Sequence, residues 1–202
     1  MLKSTKTAEK ASGALGKLFA FVQLDPNSLT LTSVFLAILG YLAYAPSLEA
    51  MITSFLLFLI AFFLDAIDGA VARAQNKTSK EGAFLDGISD RIVEFFLLLT
   101  ILQIFEFNGW MQTVVVSILF FGTGMTSFVK AYAEHKGILT HEQAEKMPGI
   151  LERTERSILL LVAFVLLIFG YPQYGIYVLY AVAALSFVTF LQRFFGALYK
   201  KG

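Results

Sequence analysis

The sequence predicts an all-α integral membrane protein with six transmembrane helices and an amphipathic interfacial helix at its N-terminus. Of its 202 residues, 57% are hydrophobic and only 15% are charged, and the mean hydropathy is +0.70, well above that of soluble domains. A spanning helix needs about 20 apolar residues, so this length accommodates roughly six spans. We therefore expect one membrane domain over residues 1–202, with residues 1–24 as a juxtamembrane segment and residues 25–202 as the bundle.

Six apolar runs bounded by turn residues and charges are the predicted spans. The first follows Asp25-Pro26-Asn27, which supplies a turn and a capping side chain. The runs cover residues 28–45, 50–73, 84–104, 110–133, 157–170 (extended backwards over 151–156) and 176–198. Before them, residues 8–22 combine Lys10 and Lys17 with apolar side chains at helical spacing. This pattern is typical of an interfacial helix, and a solvated tail is the alternative.

The cations fall on one side of the predicted bundle. They precede the first span, surround the junctions between spans two and three and between spans four and five, and close the chain. The opposite loops, near residues 46–49, 106–108 and 171–174, contain none. Because cytoplasmic loops collect Lys and Arg, this pattern predicts a multi-pass protein of the plasma membrane with both termini in the cytoplasm.

Composition excludes several kinds of function. The chain has no Cys, so a disulfide framework, a thiolate metal site and a cysteine nucleophile are all excluded. Its 16 Lys and Arg against 15 Asp and Glu leave a net charge of +1. This balance provides no bulk attraction for nucleic acid, and we expect no such partner.

Four aspartates lie in the second and third predicted spans. Asp65 and Asp68 are three residues apart, and Asp86 and Asp90 are four apart, so each pair projects from one helix face. Four uncompensated carboxylates in a membrane would cost roughly 10 kcal/mol, comparable to the stability of a whole domain. Bound cations, water in a cavity or partner arginines must offset this cost. Arg73 and Arg91 are near in sequence, and ion pairing with them is the alternative to a functional site.

Divalent metal fits these carboxylates better, because two arginines do not match four like charges. Mg²⁺ or Mn²⁺ takes oxygen ligands, and two such ions about 4 Å apart can clamp a transferring phosphoryl group. Gly69, Ala72 and Gly82 lie between the carboxylates. Small residues there let a ligand approach the helix backbone, although helix packing is the alternative for each one alone.

The spacing D-x2-D-G-x2-A-R-x8-G-x3-D-x3-D resembles the signature of the CDP-alcohol phosphotransferase family. Eight residues match it: Asp65, Asp68, Gly69, Ala72, Arg73, Gly82, Asp86 and Asp90. Members of this family are six-helix membrane enzymes, usually homodimers, that displace CMP from a CDP-linked donor with an acceptor alcohol. The resemblance therefore implies a homodimer whose active site opens to the cytoplasm and whose donor is a CDP-lipid, either CDP-diacylglycerol or CDP-archaeol.

The resemblance also implies residue roles. Asp65, Asp68, Asp86 and Asp90 would hold the metal ions, expected to be two, with Asp90 also placed as general base. The donor would be bound by Asp65, Asp68, Gly69, Ala72, Arg73, Gly82 and Asp86, with Asn27, Thr30 and Ser79 as further candidates.

The second half of the chain carries a narrower resemblance. The segment from Ser127 to Glu134, the run Glu152-Arg153-Thr154-Glu155-Arg156 and the pair Gln192-Arg193 are similar to motifs of phosphatidylinositol-phosphate synthases. This implies an inositol phosphate acceptor whose phosphate is bound by Lys130, Arg153, Arg156 and Arg193. Cations at the cytoplasmic ends of three spans suit an anionic acceptor. Simple interfacial anchoring is the alternative for each cation alone.

Three other functions remain open at this point. Tyr132 occupies a position where relatives often have Arg. The first alternative is therefore an enzyme like phosphatidylglycerophosphate synthase, with glycerol phosphate as its acceptor. A CDP-inositol donor is the second alternative. A divalent-cation transporter that uses the four carboxylates as its ion site is the third, although repeat symmetry and broken helices, which transporters usually show, are not evident.

Overall fold

The part of the chain that the structure describes consists of helices joined by turns and loops. A computed structural model describes residues 25–106 and 108–199, and no strand occurs among them. Its helices are α1 Pro26–Leu42, α2 Leu48–Ala74, α3 Lys80–Ile104, α4 Gly109–His135, α5 His141–Glu145, α6 Arg153–Ile168 and α7 Pro172–Tyr199. The all-α prediction is confirmed. The predicted interfacial helix over residues 8–22 lies outside the described residues.

Polar caps set the beginnings of the helices. Asp25 accepts a hydrogen bond from the Ser28 amide at 3.1 Å, and Pro26 occupies the first turn of α1. Ser47 caps α2 and Asn108 caps α4 in the same manner. The Ser79 hydroxyl accepts from the Gly82 amide at 2.9 Å at the start of α3. Because capping residues precede the apolar runs, these helices begin one to four residues before the predicted spans.

The first of two compact units ends at Ile101 and contains α1, α2 and most of α3. Helices α1 and α2 approach closely at Gly40, where a Cβ atom would lie 3.0 Å from the Phe58 ring. The Ser54 hydroxyl donates to the Gly40 carbonyl at 2.7 Å. The Tyr41 and Phe96 rings, 5.7 Å apart, join α1 to α3. These contacts hold the three helices that carry the aspartates.

The second unit runs from Leu102 onwards and contains α4 to α7. Helix α7 packs along both α4 and α6. The Trp110 indole donates to the Tyr180 hydroxyl at 2.8 Å and joins α4 to α7 at one end. At the other end of α4, Val129, Ala133 and Met147 are buried with Ala197 of α7.

Helix α4 contains a π-helical segment, Ile118–Met125, of eight residues. Its i→i+5 hydrogen bonding widens the helix. Segments of this kind are rare in proteins, and those that occur are often found at functional sites. The apolar periodicity predicts α4 but not this change of hydrogen bonding. The short helix α5 begins with a capping box formed by Thr140 and Gln143. It is also absent from the predicted spans.

Three of the described helices, α2, α4 and α7, are long and apolar enough to cross a membrane. Helix α1 is apolar but has only 17 residues. Large apolar side chains such as Leu59 and Phe63 on α2 and Phe187 on α7 are exposed on the helix surfaces. Surfaces of this kind suit lipid rather than water.

Candidate active site

Three carboxylates converge between α2 and α3. One oxygen each from Asp65, Asp86 and Asp90 lies within 4.8 Å of the others. Asp65 and Asp90 are buried, and Asp86 is partly exposed. The predicted convergence of carboxylates from two helix faces is present for these three residues.

Asp68, next to this group, is hydrogen-bonded to α1. Its Oδ2 atom accepts a hydrogen bond from the Thr30 hydroxyl at 2.5 Å, and its Oδ1 atom accepts from the Gly69 amide at 2.5 Å. The side chain is buried. Asp68 therefore ties α2 to α1, and its role as a metal ligand stays a prediction.

A cleft with a volume of about 190 Å³ opens beside the carboxylates. Nine of the ten residues predicted to bind the donor line it: Asn27, Thr30, Asp68, Gly69, Ala72, Arg73, Ser79, Gly82 and Asp86. The tenth, Asp65, belongs to the carboxylate group instead. Since one water occupies about 30 Å³, the cleft has room for a polyatomic anion as well as an ion.

Gly82 forms a narrow part of this cleft. A Cβ atom at Gly82 would lie 3.2 Å from both Asn27 Oδ1 and Ser79 Oγ. The lack of a side chain therefore keeps open the space between the start of α1 and the start of α3. Gly69 and Ala72 line the same cleft, as expected if small residues form the floor of a ligand site.

Arg91 lies beside the carboxylate group. Arg91 Nη1 lies 3.6 Å from Asp90 Oδ2 and also donates to the Gly87 carbonyl. The Arg91 side chain is partly exposed, so water screens its charge. The Arg91 guanidinium therefore offsets part of the charge of the carboxylate group at Asp90.

The donor set of this group fits a divalent ion. Carboxylate oxygens are hard ligands of the type that Mg²⁺ and Mn²⁺ bind. Two oxygens on one Mg²⁺ lie at most about 4.2 Å apart, close to the 4.8 Å within which the three oxygens converge. Asp65, Asp86 and Asp90 are therefore the residues that would hold a metal.

The predicted phosphate-binding cations lie in the second unit. Arg193 on α7 is buried, and its guanidinium donates to the carbonyls of Thr126 at 3.1 Å and Pro148 at 3.4 Å. Its Nη2 atom lies 3.9 Å from Glu152 Oε1. Through these contacts Arg193 connects α7 to α4 and to the loop before α6.

Lys130 and Arg156 lie close enough to Arg193 for their charges to interact. Lys130 Nζ also donates to the Glu145 carbonyl at 3.3 Å, and Arg156 is buried beside Gly122 of the π-helical segment. Arg153 begins α6 one turn before Arg156 and is partly exposed. Three of the four predicted cations are thus brought together.

Sequence reasoning missed several residues around these two sites. Pro26, Lys77, Thr78 and Ala83 also line the cleft. Glu152 approaches Arg193, and Gly149 leaves room for it, since a Cβ there would lie 2.9 Å from Arg193 Nη2. The Pro148-Gly149 pair is a turn signal that marks this loop, but no local pattern links it to α7.

Grouped carboxylates beside an anion-sized cleft in a helical membrane protein suit the class of metal-dependent enzymes that transfer phosphorus-linked groups. The particular family follows from comparison with known proteins. The CDP-alcohol phosphatidyltransferase family model matches residues 23–190, so the chain belongs to this family. The predicted family and enzyme class are confirmed.

Relatives and solved structures agree with this assignment. An archaetidylinositol phosphate synthase of Pyrococcus horikoshii is 33% identical over 91% of this chain and 88% of its own length. A phosphatidylinositol phosphate synthase of Corynebacterium glutamicum is 32% identical over 95% of this chain and 86% of its own length. The fold is similar to that of Mycobacterium tuberculosis phosphatidylinositol phosphate synthase with CDP-DAG bound, with TM-score 0.68, 22% identity and 96% of both chains covered. The structure of the same mycobacterial enzyme with manganese and citrate has a TM-score of 0.71 at 22% identity. This similarity covers 95% of this chain and 90% of the mycobacterial chain.

Proposed function

We propose that the protein transfers a phosphatidyl-type group from a CDP-linked lipid to inositol phosphate and releases CMP. The observation that carries the proposal is the carboxylate group of Asp65, Asp86 and Asp90 beside a cleft lined by the remaining signature residues. Such a site suits a diphosphate held next to divalent ions. The relatives named as inositol phosphate synthases support the choice of acceptor.

The cleft would bind the CDP part of the donor. Asn27, Thr30 and Ser79 offer polar side chains there, Gly69, Ala72 and Gly82 offer open backbone, and Arg73 offers positive charge. Mg²⁺ or Mn²⁺ held by the aspartates would neutralise the charge that develops on the leaving CMP. The manganese complex of the mycobacterial relative supports this choice of metal. We assign two ions, with Asp68 as a fourth ligand.

Asp90 acts as general base in this proposal. The acceptor hydroxyl oxygen attacks the phosphorus attached to the lipid alcohol, and the bond from that phosphorus to the CMP oxygen breaks. The hydroxyl proton passes to an Asp90 carboxylate oxygen. Arg91, 3.6 Å from Asp90 Oδ2, would hold this carboxylate in place.

The cations of the second unit would bind the acceptor phosphate. Lys130, Arg156 and Arg193 interact electrostatically, and Arg153 begins the same helix as Arg156. Glu152, 3.9 Å from Arg193, offsets part of their charge. A phosphate group would add an anion with geometry suited to guanidinium donors.

Tyr132 bears on the alternative acceptors. It is exposed, stacks on Phe128 with ring centroids 5.0 Å apart, and has Lys136 Nζ 5.2 Å from its ring centroid. Lys136 therefore places a positive charge near the position where relatives often have Arg. Glycerol phosphate and a CDP-inositol donor are the alternatives within the family. Family membership favours an enzyme over a cation transporter.

We also propose that the protein is one domain of six spans in the plasma membrane and acts as a homodimer. Both termini and the active site would lie on the cytoplasmic side. The one-sided distribution of cations supports this orientation. Beyond the three helices long enough to span, α1, α3 and α6 would complete the six. The segment 1–24 would lie on the cytoplasmic interface.

Purified protein tests the proposal when it is given a CDP-lipid with a panel of alcohols and CMP release is followed. We expect release with inositol phosphate that requires Mg²⁺ or Mn²⁺ and stops on chelation. Faster release with glycerol phosphate would replace the acceptor. Metal flux into liposomes without any CMP release would overturn the enzyme assignment.

A further inference from the structure

The cleft contains a cation that the family signature does not assign. Lys77 lies in the turn between α2 and α3 and lines the cleft together with Arg73, Asp68 and Asp86. In the signature, Lys77 falls within the eight unspecified positions between Arg73 and Gly82. Lys80, three residues later, is exposed and is not part of the lining.

The end of α2 fixes the backbone of Lys77. Asn76 has a φ of 55°, in the left-handed region that Asn tolerates better than most residues. The Asn76 amide donates to the Arg73 carbonyl at 3.2 Å, and the Lys77 amide donates to the Ala72 carbonyl at 2.9 Å. This pair of bonds is the Schellman motif that ends many helices. It anchors Lys77 to the helical turn that presents Ala72 and Arg73 to the cleft.

Charge counting gives Lys77 a function, and this step depends on the proposed donor. The four aspartates carry four negative charges, which two divalent ions would offset together with Arg91 at Asp90. The diphosphate of a CDP-linked lipid then adds about two negative charges. Arg73 supplies one compensating charge at the cleft, and Lys77 supplies a second.

We propose that Lys77 binds the diphosphate of the CDP-linked donor together with Arg73 and thereby determines donor affinity. A lysine ammonium acts as a compact charge with three rotatable donors, which suits contact with either phosphate. Its exposed position allows it to contact the donor from the open side of the cleft.

Equilibrium binding of CDP to the purified full chain in the presence of Mn²⁺ tests this proposal. We expect Lys77→Met to weaken CDP binding about tenfold, the loss of one charge-assisted contact. Lys77→Arg should stay within about threefold of wild type, because the charge is kept. Lys80→Met is the matched control and should bind CDP as wild type does. Cytidine, which lacks phosphate, should bind both Met variants equally.

Kinetics provide the second readout. Lys77→Met should raise the KM for the CDP-lipid about tenfold and leave the KM for the acceptor unchanged. Wild-type CDP affinity in Lys77→Met, or an equal loss for cytidine, would overturn the role of Lys77. Wild-type protein that binds CDP but releases no CMP would refute the proposed function alone. Wild-type protein that fails to bind CDP would refute both.

Discussion

Asp90 illustrates how the surroundings of one residue determine its proposed chemistry. It is buried, one of its oxygens lies within 4.8 Å of oxygens from Asp65 and Asp86, and Arg91 contacts it at 3.6 Å. The nearby acids favour metal binding at Asp90, and Arg91 places a positive charge beside its carboxylate. A side chain in this position can both hold an ion and receive a proton.

Asp90→Asn should lower kcat for CMP release by at least about a hundredfold, because an amide cannot take the proton from the hydroxyl group of the acceptor alcohol. The measurement is CMP release at saturating donor, acceptor and Mn²⁺. Glu81→Gln, an exposed carboxylate in the first turn of the same helix, is the control and should retain full activity. Undiminished turnover by Asp90→Asn would remove Asp90 as the base.

Gly149→Ala should raise the KM for the acceptor about tenfold and leave the KM for the CDP-lipid unchanged. The new Cβ would lie 2.8 Å from Thr189 Cγ2 and 2.9 Å from Arg193 Nη2, so Arg193 must move. Steady-state kinetics with each substrate varied in turn measures both constants. Gly196→Ala, on the same helix as Arg193 and with open space at the Cβ position, is the control. Equal changes in both KM values would contradict the acceptor role of Arg193.

At the scale of helices, the sequence predicts where they lie better than which way their polar side chains face. Apolar runs locate the six long helices of residues 25–106 and 108–199, because burial and lipid exposure both require apolar surface. Asp68 has a hydrogen-bond partner, Thr30, that its spacing does not predict. Residues three apart differ by about 60° around a helix, which is enough to direct Asp68 to Thr30 on α1 while Asp65 faces α3. Such a choice depends on the neighbouring helix and not on spacing.

The signature residues were predictable, and the residues that support them were not. Six of the nine donor residues that line the cleft lie on α2 and α3, where their spacing already places them on adjacent faces. Glu152 and Gly149 approach Arg193 across more than forty residues of chain. Contacts of this range follow from tertiary packing and leave no local pattern.

Within the π-helical segment, Gly122→Ala should lower the melting temperature in detergent. The new Cβ would lie 2.7 Å from Ser186 Oγ and 3.2 Å from Arg156 Cδ, and overpacking of this kind costs about 1–3 kcal/mol. Gly124→Ala is the matched control in the same segment. There the nearest atom is the Leu119 carbonyl oxygen at 3.4 Å, so the melting temperature should hold or rise.

A second substitution separates crowding from other effects of Gly122→Ala. Adding Ser186→Gly removes the hydroxyl that the new Cβ meets, and the double variant should recover part of the lost stability. Equal melting temperatures for wild type and Gly122→Ala would show that α4 and α7 do not pack closely at this point.

For the whole molecule, the main expectation is its orientation in the membrane. All 16 Lys and Arg belong to one side of the proposed six-span arrangement. The chain has no Cys, so each introduced cysteine is a unique probe of the side on which its loop lies.

Ser47→Cys and Gln173→Cys should react with a membrane-impermeant thiol reagent applied to intact cells, because both exposed positions, at the starts of α2 and α7, are expected on the outer face. Glu142→Cys and Lys146→Cys, in exposed positions of the α5 region, should react only after the cells are opened. Gel-shift labelling of the four variants measures this. Labelling of all four in intact cells would contradict the proposed topology.

Crystals soaked in Mn²⁺ test the central claim most directly through anomalous scattering. We predict an anomalous peak between α2 and α3, about 2.2 Å from carboxylate oxygens of Asp65, Asp86 and Asp90, and loss of that peak in Asp86→Asn. Manganese bound elsewhere, with these three carboxylates paired only to protein groups, would contradict the account.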